Sequence, residues 1–165
     1  GEITELDTFD VLPFSNFVSV VEGVSPERLK LIMEHAVAGI EDRSGQFAQI
    51  AGLEMVYDPA KPALEFGPTG DVMAPGSRIV ELTLDDGTAI VKGGDVVEEA
   101  PEVTLATIDF LARGGDGYPL GDREFTSLGV SYQQALSRYI QDDLGGKIEA
   151  ERYPEGGSGR ITPVQ

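Results

Sequence analysis

Residues 110–118, FLARGGDGY, set Gly114, Gly115 and Gly117, one arginine and one aspartate between two aromatic residues. Glycines so spaced let the backbone reach positive φ and approach a ligand closely, and they serve an ordinary tight turn equally well. The stretch lacks the Lys-Ser/Thr of a phosphate-binding loop and opens no helix, so it is not one. Other residues able to do chemistry are sparse. His35, the single histidine, sits in the middle of a helical pattern with no nucleophile or orienting partner nearby in sequence, which reads as a packed or helix-surface histidine. Asp85-Asp86 and Asp142-Asp143 lack the ligand spacing of a calcium loop and read as a hairpin turn and a solvated helix end. With no cysteine and one histidine, no catalytic metal centre is expected inside this chain, and no catalytic residue is assigned.

The elements that must position such groups follow from pattern. Thr4 caps a short helical turn that ends before Pro13. Phe17–Val24 (FVSVVEGV) is β-branched and reads as a strand. Ser25-Pro26-Glu27 starts a helix whose Leu29, Ile32, Met33, Ala36, Val37 and Ile40 make one apolar face. Residues 47–57 suggest two short strands broken at Gly52. Residues 58–77, which hold four of the ten prolines, read as a long loop or insertion. Residues 78–84 and 89–91 form a hairpin around Asp86-Gly87. A strand spans 103–110 and ends at the glycine-rich stretch, and Ser131 caps a second helix that Gly145 stops. Strands and helices mix without regular βαβ alternation, so the fold class is α+β, a mixed sheet with two main helices.

A length of 165 residues with 41% hydrophobic content suits a single domain, 1–165, with a real core. The formal charge of −17 argues against a nucleic-acid polymer and an anionic membrane as partners. No apolar run approaches a membrane span. No signal peptide is visible at Gly1-Glu2-Ile3, and the sequence reads as a mature or excised piece of a longer protein.

A series of short motifs then follows in order: LPFSN (12–16), EHAV (34–37), SGQFAQ (44–49), VYD (56–58), PGSRIV (75–80), ATIDFLA (106–112), GGDGY (114–118) and GRI (159–161). The series resembles the C-terminal domain of the secreted 5′-nucleotidase family over nearly the whole chain. The resemblance implies a two-domain enzyme. An N-terminal metallophosphoesterase domain, absent from this chain, holds two divalent metal ions, and the C-terminal domain binds the nucleoside of a nucleoside 5′-phosphate that is split into nucleoside and phosphate. It further implies that Phe14 and Phe110 clamp a base, a purine by preference, and that Asp116 accepts hydrogen bonds from ribose hydroxyls. Asn16 and Gly45 match positions lining the same pocket. Read from the residues alone, both phenylalanines are better taken as buried core residues, and only the resemblance favours the clamp. The sequence departs from the family at Ser15, which could narrow the pocket, at Ile108 and Arg113, and in the longer 58–77 connection, none of which is expected to touch the matched residues.

The resulting expectation is a nucleoside- or nucleotide-binding domain of a 5′-nucleotidase-type phosphoric monoester hydrolase, inactive in isolation, working with its metallophosphoesterase domain in an extracellular or periplasmic setting. Two alternatives stay open: a relative acting on cyclic nucleotides or another ester, and a non-catalytic binding or dimerisation module. The second would form a homodimer through an exposed apolar strip on the helix at 25–40 or the helix at 131–144.

Overall fold

The computed structural model describes residues 1–67 and 71–164. Each element begins where its local chemistry says it should. Thr4 accepts the Asp7 N–H while the Asp7 carboxylate accepts the Thr4 N–H at 2.6 Å, a capping box that opens α1, Glu5–Val11. β1, Phe17–Val24, turns Ser19, Val21 and Val24 into the core. Ser25 caps α2, Pro26–Ala36, with Pro26 in its first turn and Leu29, Ile32, Met33 and Ala36 buried.

The apolar pattern predicts α2 through Ile40, but the helix ends at Ala36. The Val37 and Ala38 carbonyls, which would extend the helical ladder, accept instead from Arg78 Nη1 at 2.8 and 3.2 Å. The predicted strand pair over 47–57 reduces to one strand, β2, Leu53–Tyr57. Just before it the Gln46 and Ile50 carbonyls are taken by side chains, Tyr118 Oη–H at 2.5 Å and Arg160 Nη1–H at 3.0 Å, so this segment runs along the core as irregular chain. Residues 58–77 carry an antiparallel ribbon, β3 (Glu65–Phe66) and β4 (Val72–Ala74); the part at 68–70 lies outside the described residues.

The hairpin forms as patterned, β5 (Ile79–Leu84) to β6 (Ala89–Lys92), with Gly87 at φ +88° in its turn, and β7 (Asp95–Val96) follows. β8, Val103–Ile108, stops short of the predicted Phe110. The Phe17 N–H at the end of its partner strand is held by the Asp109 carboxylate at 2.9 Å, and Asp109–Ala112 coil into a single helical turn, α3. β9 (Thr126–Ser131) leads through the Ser131 capping box into α4 (Tyr132–Arg138). A wider turn over Tyr139–Asp143 continues α4 to Gly145 at φ +63°, and β10 (Ile161–Pro163) completes the described chain.

The strands assemble as an antiparallel sheet, β8-β1-β9, and a five-stranded sheet, β10-β2-β5-β6-β7, whose β10–β2 pair alone is parallel. This is the expected α+β arrangement with a mixed sheet. α2 lies against β5, β6 and β7, and its apolar face shares one core with Val21, Val24, Met55, Ile79, Leu82, Ile90 and Leu120. Full burial of side chains of this size contributes about 1.5–3 kcal/mol each. The core ends beneath α3 and the glycine-rich loop, where Ala112 and Tyr118 belong to it.

Candidate functional site

A cavity of about 410 Å³ opens between the chain entering β1, α3 and the 44–53 segment. Phe14, Asn16, Gly45, Phe110 and Asp116 all line it. Phe14 is 72% exposed and Phe110 44%, so neither ring serves the core. Nothing in the protein lies within 4 Å of a side chain started at Gly45, so that rim is open.

Both aromatic residues are held from behind. The Phe14 N–H donates to Tyr132 Oη at 2.9 Å, and the Tyr132 N–H donates to the Asn16 carbonyl at 3.0 Å, which ties the 14–16 stretch to the first turn of α4. The Asp109 contact to Phe17 ties the same stretch to α3, the element that carries Phe110. Phe110 therefore stands on a helical turn rather than at a strand end as the sequence suggested. Its ring lies on Gly115, where an added Cβ would come 2.5–2.7 Å from three ring carbons, so that position has no room for a side chain.

The glycine-rich loop holds Asp116 in an uncommon geometry. Gly114 and Gly117 lie at φ +88° and +74°, and Asp116 itself at φ +52°, a left-handed conformation that costs an L-residue roughly 1–2 kcal/mol. The surroundings enforce it. His35 Nε2 lies 2.8 Å from the Asp116 carbonyl; a carbonyl only accepts, so Nε2 carries the proton. The His35 ring meets Tyr118 edge-on at 4.9 Å and Phe66 of the β3 ribbon at 5.5 Å. Gln46 Nε2 donates to the His35 carbonyl at 2.7 Å, and Tyr118 Oη–H donates to the Gln46 carbonyl. Burial, and then the Asp116 charge, push the Tyr118 phenol up to about 12.

His35 is thus a buried residue held at Nε2, at its carbonyl and on its ring, and the EHAV motif serves two purposes. The neighbouring Glu34, also buried, accepts the Arg78 and Ile79 N–H groups at 2.9 and 3.0 Å. Sequence reasoning missed Gln46, Tyr118 and Tyr132 as parts of the site. The signal was present, since Gln46 and Tyr118 lie inside the quoted motifs and Tyr132 follows the cap at Ser131.

The departures from the family pattern fall differently from expectation. Ser15 is not part of the cavity lining, whereas Ile108 is. Arg113 turns away and stacks over Phe125 at 4.9 Å. The 58–77 connection reaches the site indirectly, through Phe66 on His35.

Among the described residues no three His, Cys, Asp or Glu side chains converge where a metal ion could sit. The resemblance places its pair of divalent ions in the N-terminal domain and none in this chain. No described helix is long and apolar enough to cross a membrane.

The family described as 5′-nucleotidase, C-terminal domain, matches residues 1–123. Human 5′-nucleotidase is 28% identical over 120 residues, covering 73% of this chain and 19% of that protein. The trifunctional nucleotide phosphoesterase of Bacillus subtilis is likewise 28% identical over 120 residues, covering 72% of this chain and 7% of that protein. The crystal structure of the 5′-nucleotidase precursor from Thermus thermophilus superposes with a TM-score of 0.72 at 25% identity, covering 99% of this chain and 28% of that one. The chain thus spans less than a third of each of these relatives. On the family match across most of its length, together with this shared fold, the chain belongs to the 5′-nucleotidase C-terminal domain family.

Proposed function

We propose that this chain is the nucleoside-binding part of a 5′-nucleotidase-type phosphohydrolase whose metal-dependent chemistry resides in a metallophosphoesterase domain elsewhere in the polypeptide. The observation that carries the reading is the exposure of Phe14 and Phe110 at the rim of one cavity that Asp116 also lines. An exposed pair of rings on one rim suits a flat ligand, because base stacking contributes roughly 1–3 kcal/mol per base and tolerates different bases. A ribose diol offers two donors, and a hydrogen bond to a charged acceptor such as the Asp116 carboxylate adds about 1.5–3 kcal/mol. The Asn16 amide supplies a further donor and acceptor on the same wall. Gly45 leaves its rim clear. The ligand class is a nucleoside or nucleoside 5′-phosphate, with a purine offering the larger stacking face, and the setting is extracellular or periplasmic, as for secreted members of the family.

The rival dimerisation module is disfavoured by packing. Its strip on residues 25–40 is buried in this chain's own core, and in 131–144 Tyr139 is the one exposed large apolar residue.

The test is a calorimetric titration of adenosine into wild type and Phe110→Ala. Removal of one stacking face weakens adenosine binding by at least about tenfold. Equal affinities would remove the clamp from the account. A dimer without nucleoside affinity in sedimentation would support the module instead.

A further inference from the structure

We infer that His35 is a positioning residue for the sugar end of the cavity: by holding the Asp116 carbonyl it fixes the direction of the Asp116 carboxylate, and so sets the selectivity for vicinal ribose hydroxyls. The inference rests on the nucleoside reading of the site and assigns a role to the one histidine, which that reading leaves unused.

Asp116 stands at φ +52° between Gly115 and Gly117, so its neighbours place no steric limit on its backbone. A short polar residue there could equally adopt extended geometry and swing its carboxylate away from the cavity. Backbone hydrogen bonds from Gly117 N–H to Gly114 and from Tyr118 N–H to Gly115 close the turn, and the side-chain contact on Asp116 itself comes from His35, whose Nε2–H donates to the Asp116 carbonyl at 2.8 Å from within the fold.

His35 is itself immobilised from several directions. Its carbonyl accepts from Gln46, its ring packs against Tyr118 and Phe66, and Gly117 passes so close that an added Cβ would lie 3.3 Å from His35 Cε1. The donor is thus a fixed point, and the loop is draped over it. Gln46 follows Gly45 on the opposite rim, so the same imidazole-bearing residue braces both walls of the cavity. Such indirect support of a ligand-binding carboxylate is how a surrounding shell sets specificity without touching the ligand.

The experiment titrates the 165-residue chain with adenosine and with 2′,3′-dideoxyadenosine, which keeps the base and lacks both hydroxyls. Wild type prefers adenosine by about tenfold or more, the amount expected when a charged acceptor loses its donors. In His35→Leu, adenosine affinity falls to the level of the dideoxy compound while dideoxyadenosine binding stays the same. His35→Gln, which retains an N–H donor on a side chain of similar reach, recovers at least half of the preference on a logarithmic scale. A His35→Leu protein that keeps the full preference overturns the inference, as does a folded His35→Gln no better than His35→Leu. Wild type that binds adenosine and dideoxyadenosine equally removes Asp116 from the site, and wild type that binds neither removes the nucleoside reading, each taking the inference with it. A second readout needs neither ligand nor variant. The ¹⁵N spectrum of the imidazole shows the Nε2–H tautomer in the wild-type chain at neutral pH, and the Nδ1–H tautomer would overturn the inference, because an unprotonated Nε2 cannot donate to a carbonyl.

Discussion

At the scale of single residues, the described glycine with the least room for a side chain is Gly76, within the PGSRIV motif. A Cβ there would collide with Glu34 Oε2 and lie 3.0 Å from the Leu64 backbone N. Glu34 has nowhere to retreat. It is 2% exposed and its two oxygens hold the Arg78 and Ile79 N–H groups, while the Arg78 side chain reaches the carbonyls of Lys61, Val37 and Ala38 and the Glu41 carboxylate. Gly76→Ala therefore strains a buried, hydrogen-bonded carboxylate, and the expected loss is about 1–3 kcal/mol in a urea unfolding experiment. Gly45→Ala is the matched control, because its Cβ meets nothing within 4 Å. Equal midpoints for the two variants would show that Glu34 yields freely. The identity of these residues was legible in the sequence, since EHAV and PGSRIV both stand out, but the reason was not. A glycine required by a carboxylate many residues earlier leaves no local trace.

At the scale of elements, starts were legible and ends were not. Thr4, Ser25 and Ser131 all cap as read, because a cap is a contact between residues three apart. α2 and β8 both stop early because side chains capture backbone groups remote in sequence: Arg78 takes the Val37 and Ala38 carbonyls, and Asp109, next after β8, takes the Phe17 N–H. The 44–53 segment is the extreme case, held to the fold by side chains where strands were expected. Tyr118 is one of its anchors, and that contact titrates. The phenol is held at about 12 in the folded chain against an ordinary 10.0, so the native state grips its proton more tightly than the unfolded state does. Its contribution to stability is complete below pH 10 and is lost as the pH rises through about 12. Wild type should therefore lose stability relative to Tyr118→Phe, which cannot ionise, over that interval. Urea midpoints measured at pH 9 and at the top of the interval check this, and parallel loss in both proteins would show that the buried phenol is not what senses alkali. The candidate site shows the same division. Five of its lining residues, Phe14, Asn16, Gly45, Phe110 and Asp116, were named through the resemblance, while the bracing from His35, Gln46 and Tyr132 depends on contacts that only the assembled sheets create.

At the scale of the whole molecule, the proposed division of labour between two domains turns on charge. A formal charge of −17 gives an uncharged nucleoside free approach but repels the phosphate that a nucleoside 5′-phosphate also carries. Hydrolysis of a phosphoric monoester needs that charge neutralised and a water activated, work that metal ions commonly do. The described residues offer no cluster of His, Cys, Asp or Glu for such ions. The lone histidine does not line the cavity; its ring is buried among Tyr118, Phe66 and Gly117, with Nε2 at the Asp116 carbonyl. The 165-residue chain should therefore bind adenosine yet release no phosphate from AMP above the protein-free rate, with magnesium, manganese, cobalt or zinc added. A colorimetric phosphate assay over a series of chain concentrations checks this. Release that rises in proportion to the chain and disappears in Phe110→Ala would place both binding and chemistry in this one domain, and the division of labour between two domains would fall.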